Sequence, residues 1–169
     1  MRSSELLSDA FDRIDDIVLR ALKGVDMDKL NWRPGGRGNS IAWLLWHLCR
    51  AQDEQIADVA GTESVWKSGG YAPRFGFALD AGDTGYGHSS EQVSAVHLES
   101  TELLLEYHRA VLAQSLGYVQ DLDDAELDRI VDRRWDPPVT LGVRLISIVD
   151  DCVQHGGQAA YIAGLPNDG

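Results

Sequence analysis

The chain is poor in cysteine: only Cys49 and Cys152 occur among its 169 residues. They stand far apart and form no C-x-x-C pair, so neither a disulfide framework nor a dithiol redox motif is indicated, and both read as reduced core thiols. A long hydrophobic run is also lacking. The longest strongly apolar stretch, Ile41–Cys49, is interrupted by His47 and falls far short of the roughly 20 residues needed to span a membrane. No apolar signal-peptide core precedes the first amphipathic segment, and a cytoplasmic protein is expected. Positive charge is scarce: 15 Lys and Arg face 27 Asp and Glu, a formal net charge of −12, which argues against binding to nucleic acid or to anionic membranes. Lysine itself is rare, three against twelve arginines, a bias typical of high-GC bacterial genomes. There is no P-loop, no G-x-S-x-G elbow, no H-E-x-x-H and no zinc-finger spacing. Gly85-Tyr86-Gly87 does not open a dinucleotide fingerprint, because no strand precedes it and the third glycine is missing.

What is present is ordinary globular material, 44% apolar and 25% charged, long enough for one domain, residues 1–169, with a sizeable core. From Ser4 to Lys23 the apolar residues recur at the 3.6-residue period of an amphipathic helix (Leu6, Leu7, Ala10, Phe11, Ile14, Ile17, Val18, Ala21, Leu22), and Gly24 offers a stop. Asn31 to Gly38 carries Pro34 and three glycines and cannot continue it. Asn39 or Ser40 then caps a second helix, with Ile41, Leu44, Leu45, Leu48 and Ile56 on its stripe and His47 at the stripe's edge. A third helix is expected over about Glu91–Val119, capped by Ser90, and a short acidic one over Asp121–Val131 that ends at Trp135-Asp136-Pro137-Pro138. The last runs from Leu141 to Ala163, capped by Thr140 and stopped by Gly164 and Pro166. Four long amphipathic helices without a convincing strand pattern make an all-α, four-helix bundle, a fold that places metal sites between facing helices.

Between the second and third helices lies a stretch, Gly61–Ser90, with seven glycines and the aromatics Trp66, Tyr71, Phe75, Phe77 and Tyr86. A loop of that length in a small domain is usually functional, and so many aromatic residues suggest that it packs over something.

Asp151 and His155 carry the clearest chemical signal. At i and i+4 of the last helix they share a face, with Cβ atoms roughly 5–6 Å apart, and a carboxylate and an imidazole so placed can grip a divalent cation. His47 supplies a second imidazole from another helix. Two histidines and one carboxylate leave coordination positions open, the mark of a working metal site and not a structural one. Each feature has a plainer explanation: Asp151–His155 as a solvated helix pair, His47 as a hydrogen-bonded core residue. Asp150 points about 100° away from Asp151 and is the poorer ligand. His88 lies in the loop and could approach a site from there. His97 and His108 read as structural or exposed. Gly156-Gly157 in mid-helix costs roughly 1 kcal/mol per glycine against alanine, a cost usually compensated by close approach of a neighbouring helix or ligand.

These residues together resemble the DinB-like superfamily, which includes the mycothiol-dependent maleylpyruvate isomerases and bacterial thiol S-transferases. The likeness rests on Asn39-Ser40-Ile41-Ala42-Trp43-Leu44-Leu45-Trp46-His47-Leu48, on Thr84-Gly85-Tyr86-Gly87-His88, and on Asp151-x3-His155-x-Gly157-Gln158-x2-Tyr161. It implies a four-helix bundle holding zinc or nickel through three side chains, carried over by motif as His47, Asp151 and His155, and it implies a homodimer. Many relatives have histidine at the place of Asp151; a carboxylate there resembles the isomerase branch. The activity implied is a metal-dependent thiol S-transferase or isomerase that activates a low-molecular-weight thiol, mycothiol in a high-GC bacterium, and transfers it to a small electrophile. The alternatives are a hydrolase using metal-bound water, with Glu54 as a weak candidate base, and a non-enzymatic stress-related binding protein. Imidazole must be neutral to bind a metal, so metal affinity is expected to fall as pH drops through about 6.5; retention that stays flat down to pH 4 in an equilibrium dialysis series contradicts histidine ligation.

Overall fold

The computed structural model describes residues 1–166; residues 167–169, which close the expected single domain, lie outside the described residues. Four long helices form the bundle: α1 (Ser3–Leu22), α3 (Ile41–Ala60), α7 (Glu102–Gln120) and α8 (Leu141–Gly164), with a short α2 (Met27–Asn31) between the first two. Of the apolar residues expected on α1, Leu7, Phe11, Ile14, Val18 and Ala21 are buried against α7 and α8, whereas Leu6 is exposed. Helix α3 is the axis of the molecule. Every residue from Ile41 to Arg50 is buried, because α7 and α8 cover two of its sides and the segment that follows it folds back over the rest. Its ends match the sequence reading: the Ser40 hydroxyl accepts a hydrogen bond from the Trp43 N–H at 3.1 Å, and Gly61, at φ 66°, provides the left-handed C-terminal stop. The Thr140 hydroxyl caps α8 in the same manner, accepting from the Val143 N–H. No helix among the described residues is long and apolar enough to cross a membrane.

Three regions differ from expectation, each for a local reason. The third helix is not continuous. A short α6 (Ser90–Ala95) ends at Val96, and α7 begins only at Glu102. The Asn31 side chain, at the end of α2, engages both backbone groups of Leu98: its Oδ1 accepts from the Leu98 N–H at 2.9 Å and its Nδ2 donates to the Leu98 carbonyl at 2.8 Å. With those groups engaged the chain runs extended, burying Val96 and Leu98 on one side and exposing His97. The cap of α6 is Ser89, in a capping box with Gln92. The acidic piece is only a 3-10 turn, Asp124–Asp128, and it leads into a small antiparallel hairpin of β1 (Ile130–Asp132) and β2 (Val139–Thr140). Pro137-Pro138 reverses the chain there and cannot supply ladder donors. Finally, the 61–90 segment contains two short helices, α4 (Val65–Ser68) and α5 (Tyr71–Phe75).

That segment is held down by one buried carboxylate and an aromatic cluster. Asp53, on α3, accepts the Val65 and Trp66 N–H groups at 2.8 Å each and the Tyr107 hydroxyl at 2.7 Å. Trp66 lies edge-on to Trp46 and Tyr107 and stacks on Phe75, while the Arg50 guanidinium sits 4.5 Å over its ring. Aromatic residues in the sequence therefore signalled a packed cover, not a mobile strand of chain.

The two mid-helix glycines of α8 have different roles. A Cβ on Gly156 would run into the branched Cγ2 methyl of Ile17 on α1, whereas one on Gly157 would meet nothing. Gly156→Ala is therefore expected to destabilise the fold by about 1–3 kcal/mol through overpacking, despite alanine's better helix propensity. Gly157→Ala should be neutral or stabilising by up to about 1 kcal/mol. Urea denaturation of the two variants checks the contrast, and equal midpoints contradict the close α1–α8 approach.

Candidate metal centre

The α3–α8 interface brings together the three residues singled out from the sequence. His47, Asp151 and His155 each present a ligand atom, and all three atoms lie within 4.8 Å of one another. His47 is buried; the other two are partly open to the cleft. The imidazoles of His47 and His155 stand edge to face with ring centres 4.8 Å apart.

The surroundings of His47 fix which nitrogen is available. Its Nδ1 lies 2.5 Å from the Thr84 carbonyl oxygen. A carbonyl only accepts, so Nδ1 carries the proton and Nε2 keeps its lone pair for a cation. Trp43 stacks on the ring at 4.8 Å and 18°, which sets its plane. Thr84 is positioned in turn by a relay through the same loop. The Trp43 indole donates to His88 Nδ1 at 3.1 Å, which leaves the His88 proton on Nε2, and that N–H donates to Asp83 at 2.8 Å. Gly85, at φ 93°, completes the fit: a Cβ there would lie 2.7 Å from His47 Nδ1. His88 thus supports the site from behind Trp43 and is not one of the gathered ligands. Its role as a positioning residue was not legible in sequence, since nothing in the spacing of residues 83–88 reveals a contact with Trp43.

On α8, His155 Nδ1 contacts the Gln158 side-chain oxygen at 3.0 Å, and its Nε2 lies 3.5 Å from Asp151 Oδ1. Among the described residues, the second oxygen of Asp151 is buried without a hydrogen-bond partner. A partnerless buried carboxylate oxygen is costly, and a cation between Asp151 and the two imidazoles relieves it. The donor set, two imidazole nitrogens and one carboxylate oxygen, suits a borderline divalent ion such as zinc or nickel, and each histidine's other nitrogen has an acceptor that orients it. On chemistry and geometry the residues fit such a group.

Beside this cluster opens a cavity of about 650 Å³, walled by His47, Glu54, Thr84 and Tyr86 on one side and by the hairpin and the first turns of α8 on the other. Glu54 faces it but is paired with Arg50 at 2.8 Å. The two cysteines are elsewhere, both buried and unbridged. Burial pushes the Cys152 thiol well above its ordinary range, so neither the protein's own thiols nor a disulfide belongs to the site. His108 is likewise structural, enclosed in the core with Nε2 3.0 Å from Asp15.

A small helical bundle with a ligand-ready cluster between its second and last long helices, opening onto a side cavity, is the class that fold and site define. The chain belongs to the DinB superfamily, whose family model matches residues 10–159. It is also similar to the crystal structure of the conserved protein of locus from Enterococcus faecalis, at TM-score 0.89 and 30% identity over 96% of each chain. No curated protein matches it.

The electrostatics divide the two histidines. Burial lowers His47 below the ordinary imidazole value, keeping it neutral and fit to bind a cation. The hydrogen bond to Asp151 raises His155, and the same contact lowers Asp151. In the metal-free fold the pair's contribution from His155 is complete below its unfolded value of 6.5 and is lost as pH rises through the higher folded value. The contribution from Asp151 is complete above 3.8 and is lost as pH falls through the lower folded value. The pair therefore stabilises the metal-free fold most between about pH 4 and 6.5. Asp151→Asn should return His155 toward its ordinary value and leave His47 low, as read by imidazole NMR titration of metal-free protein. An unchanged His155 titration in that variant contradicts the pairing.

Proposed function

We propose that the chain is a metal-dependent thiol transferase or isomerase, in which His47, Asp151 and His155 hold one divalent cation, zinc or nickel, and a low-molecular-weight thiol, mycothiol in the reading from family resemblance, reacts with a small electrophile. The observation that carries this proposal is the partnerless buried oxygen of Asp151 beside two imidazoles whose other nitrogens are already engaged. The bound ion supplies a Lewis-acid position at which a thiol gives up its proton near neutral pH.

The chain's own residues do the remainder. Thr84 and Gln158 keep the two imidazoles oriented, with Nε2 of His47 directed away from its carbonyl partner. Trp43 shields one face of His47 from water. The cavity wall formed by Tyr86, Trp135 and Val143 gives an electrophile apolar surface beside the cluster. The cavity's size suits a small-molecule pair of thiol and electrophile. None of the protein's own cysteines lines it, so the nucleophilic sulfur comes from the cosubstrate.

Hydrolysis is the competing reading, and one observation bears on it: Glu54 lines the same cavity. Its carboxylate is already held by Arg50, which weakens it as a base.

Elemental analysis of untagged protein should return about one zinc or nickel per chain, and His47→Ala and His155→Ala should each abolish stoichiometric retention while circular dichroism stays helical. In cobalt-substituted protein, added thiol should produce an intense thiolate-to-cobalt charge-transfer band, and product formation from an electrophile should require thiol. Turnover that proceeds equally well without thiol favours the hydrolase; wild-type protein that retains no metal after reconstitution overturns both.

A further inference from the structure

The hairpin side of the cavity carries a charge arrangement that the metal cluster does not explain. Asp132, at the end of β1, is buried. Both of its carboxylate oxygens are taken up by Arg134, through Nε at 2.9 Å and Nη2 at 2.7 Å, and the Arg134 backbone N–H adds a third bond at 2.9 Å. One guanidinium already balances this carboxylate. Yet a second, Arg144 on the first turns of α8, also lies against it, at 3.2 Å through a single nitrogen. Among the described residues that is the one hydrogen bond Arg144 makes. Its side chain is 15% exposed and lines the cavity, so its remaining donors open onto that cavity and not onto further protein acceptors. In a chain of net charge −12, a guanidinium with free donors in the wall of the candidate active site is a ready partner for an anion.

The placement of Arg144 also sets a length. Arg144, Ser147 and Asp151 all line the cavity and stand at i, i+3 and i+7 on one face of α8, so Arg144 lies about 10 Å along the helix axis from Asp151. The hairpin and the start of α8 add Val139, Val143 and Trp135 to the same wall. A molecule that spans the cavity from the metal-facing residues thus reaches, in a partly apolar wall, a guanidinium fork, the side chain best shaped for a carboxylate.

We propose that Arg144, assisted by Arg134, docks a carboxylate carried on the small-molecule ligand about two helical turns from its metal-facing end; the identity of that far end rests on the metal-and-thiol reading above. The site is specific for an acid-bearing thiol or an acid-bearing electrophile, and Asp132 is the positioning residue that holds the two guanidinium groups at the rim. A purely architectural role for Arg144, tying the hairpin to α8, predicts no ligand dependence at all.

The rim can be tested apart from the metal. Hexanoate is titrated into metal-free protein by calorimetry at low ionic strength, with hexanol as the neutral counterpart. Hexanoate should bind wild-type protein, Arg144→Gln should weaken it at least tenfold, Arg144→Lys should recover part of the loss, and Arg134→Gln should cost less than Arg144→Gln. Circular dichroism of each variant verifies folding, and the lysine variant keeps the charge if the glutamine variant is unstable. No hexanoate binding by the wild type, or equal binding by wild type and Arg144→Gln, overturns the proposal. Zinc-loaded protein then identifies the bearer. If mercaptohexanoate displaces hexanoate and binds at least tenfold tighter than mercaptohexanol, the thiol carries the acid; if mercaptohexanol binds alongside hexanoate, the electrophile carries it. Failure of both thiols to bind, with Arg144-dependent hexanoate binding intact, counts against the metal-and-thiol reading alone.

Discussion

The hydrogen bond from His47 Nδ1 to the Thr84 carbonyl joins the two parts of this structure. On one side is a helical bundle whose central helix is buried along its whole first half. On the other is a segment of about thirty residues that a helical bundle does not need. The bond forms only if that segment returns to α3 at the right place, and the packing of Asp53, Trp66 and Tyr107 ensures it. Each of these contacts is buried, where an unmade hydrogen bond is expensive, so the cover and the bundle specify one another. Their common product is a histidine whose ring plane and tautomer are both set before any ligand arrives.

The second consequence is electrostatic. The chain is strongly acidic, yet around the cavity arginine and histidine meet a limited number of carboxylates, most of them already paired: Glu54 with Arg50, Asp132 with Arg134, Asp151 with His155. Pairing leaves Asp151 Oδ2 as the unfilled acceptor and Arg144 as the underused donor. One end of the cavity therefore attracts a cation and the other an anion, along one face of α8. A ligand that bridges the two experiences a field that the protein's overall charge would not suggest.

Much of this was legible in the residues. The four long amphipathic stripes, the Ser40 and Thr140 caps and the Asp151/His155 spacing are local features, and local features survive folding. His47 was legible as a candidate only through its partners on another helix. The breaks were not legible, because their causes are long-range: Asn31 interrupts the third helix at Leu98 from 67 residues away, and no pattern near Leu98 records it. The hairpin was missed because its strands are three and two residues long, too short for an alternation to show. With it went Asp132, Arg134 and Arg144, whose meeting depends on the hairpin lying across the start of α8. The Trp43–His88–Asp83 relay was hidden for the same reason: its members are spread over more than forty residues, and only the folded loop brings them together.

The reaction proposed for the cavity depends on His47, Asp151 and His155 binding one divalent cation with room left beside it. X-ray absorption spectroscopy at the metal edge of zinc-reconstituted protein tests this most directly. The expected result is a single zinc environment with two imidazole nitrogens and a carboxylate oxygen at about 2.0–2.2 Å, and a new sulfur neighbour at about 2.3 Å when thiol is added. A zinc environment without imidazole scattering, or one made of protein sulfur, would contradict it.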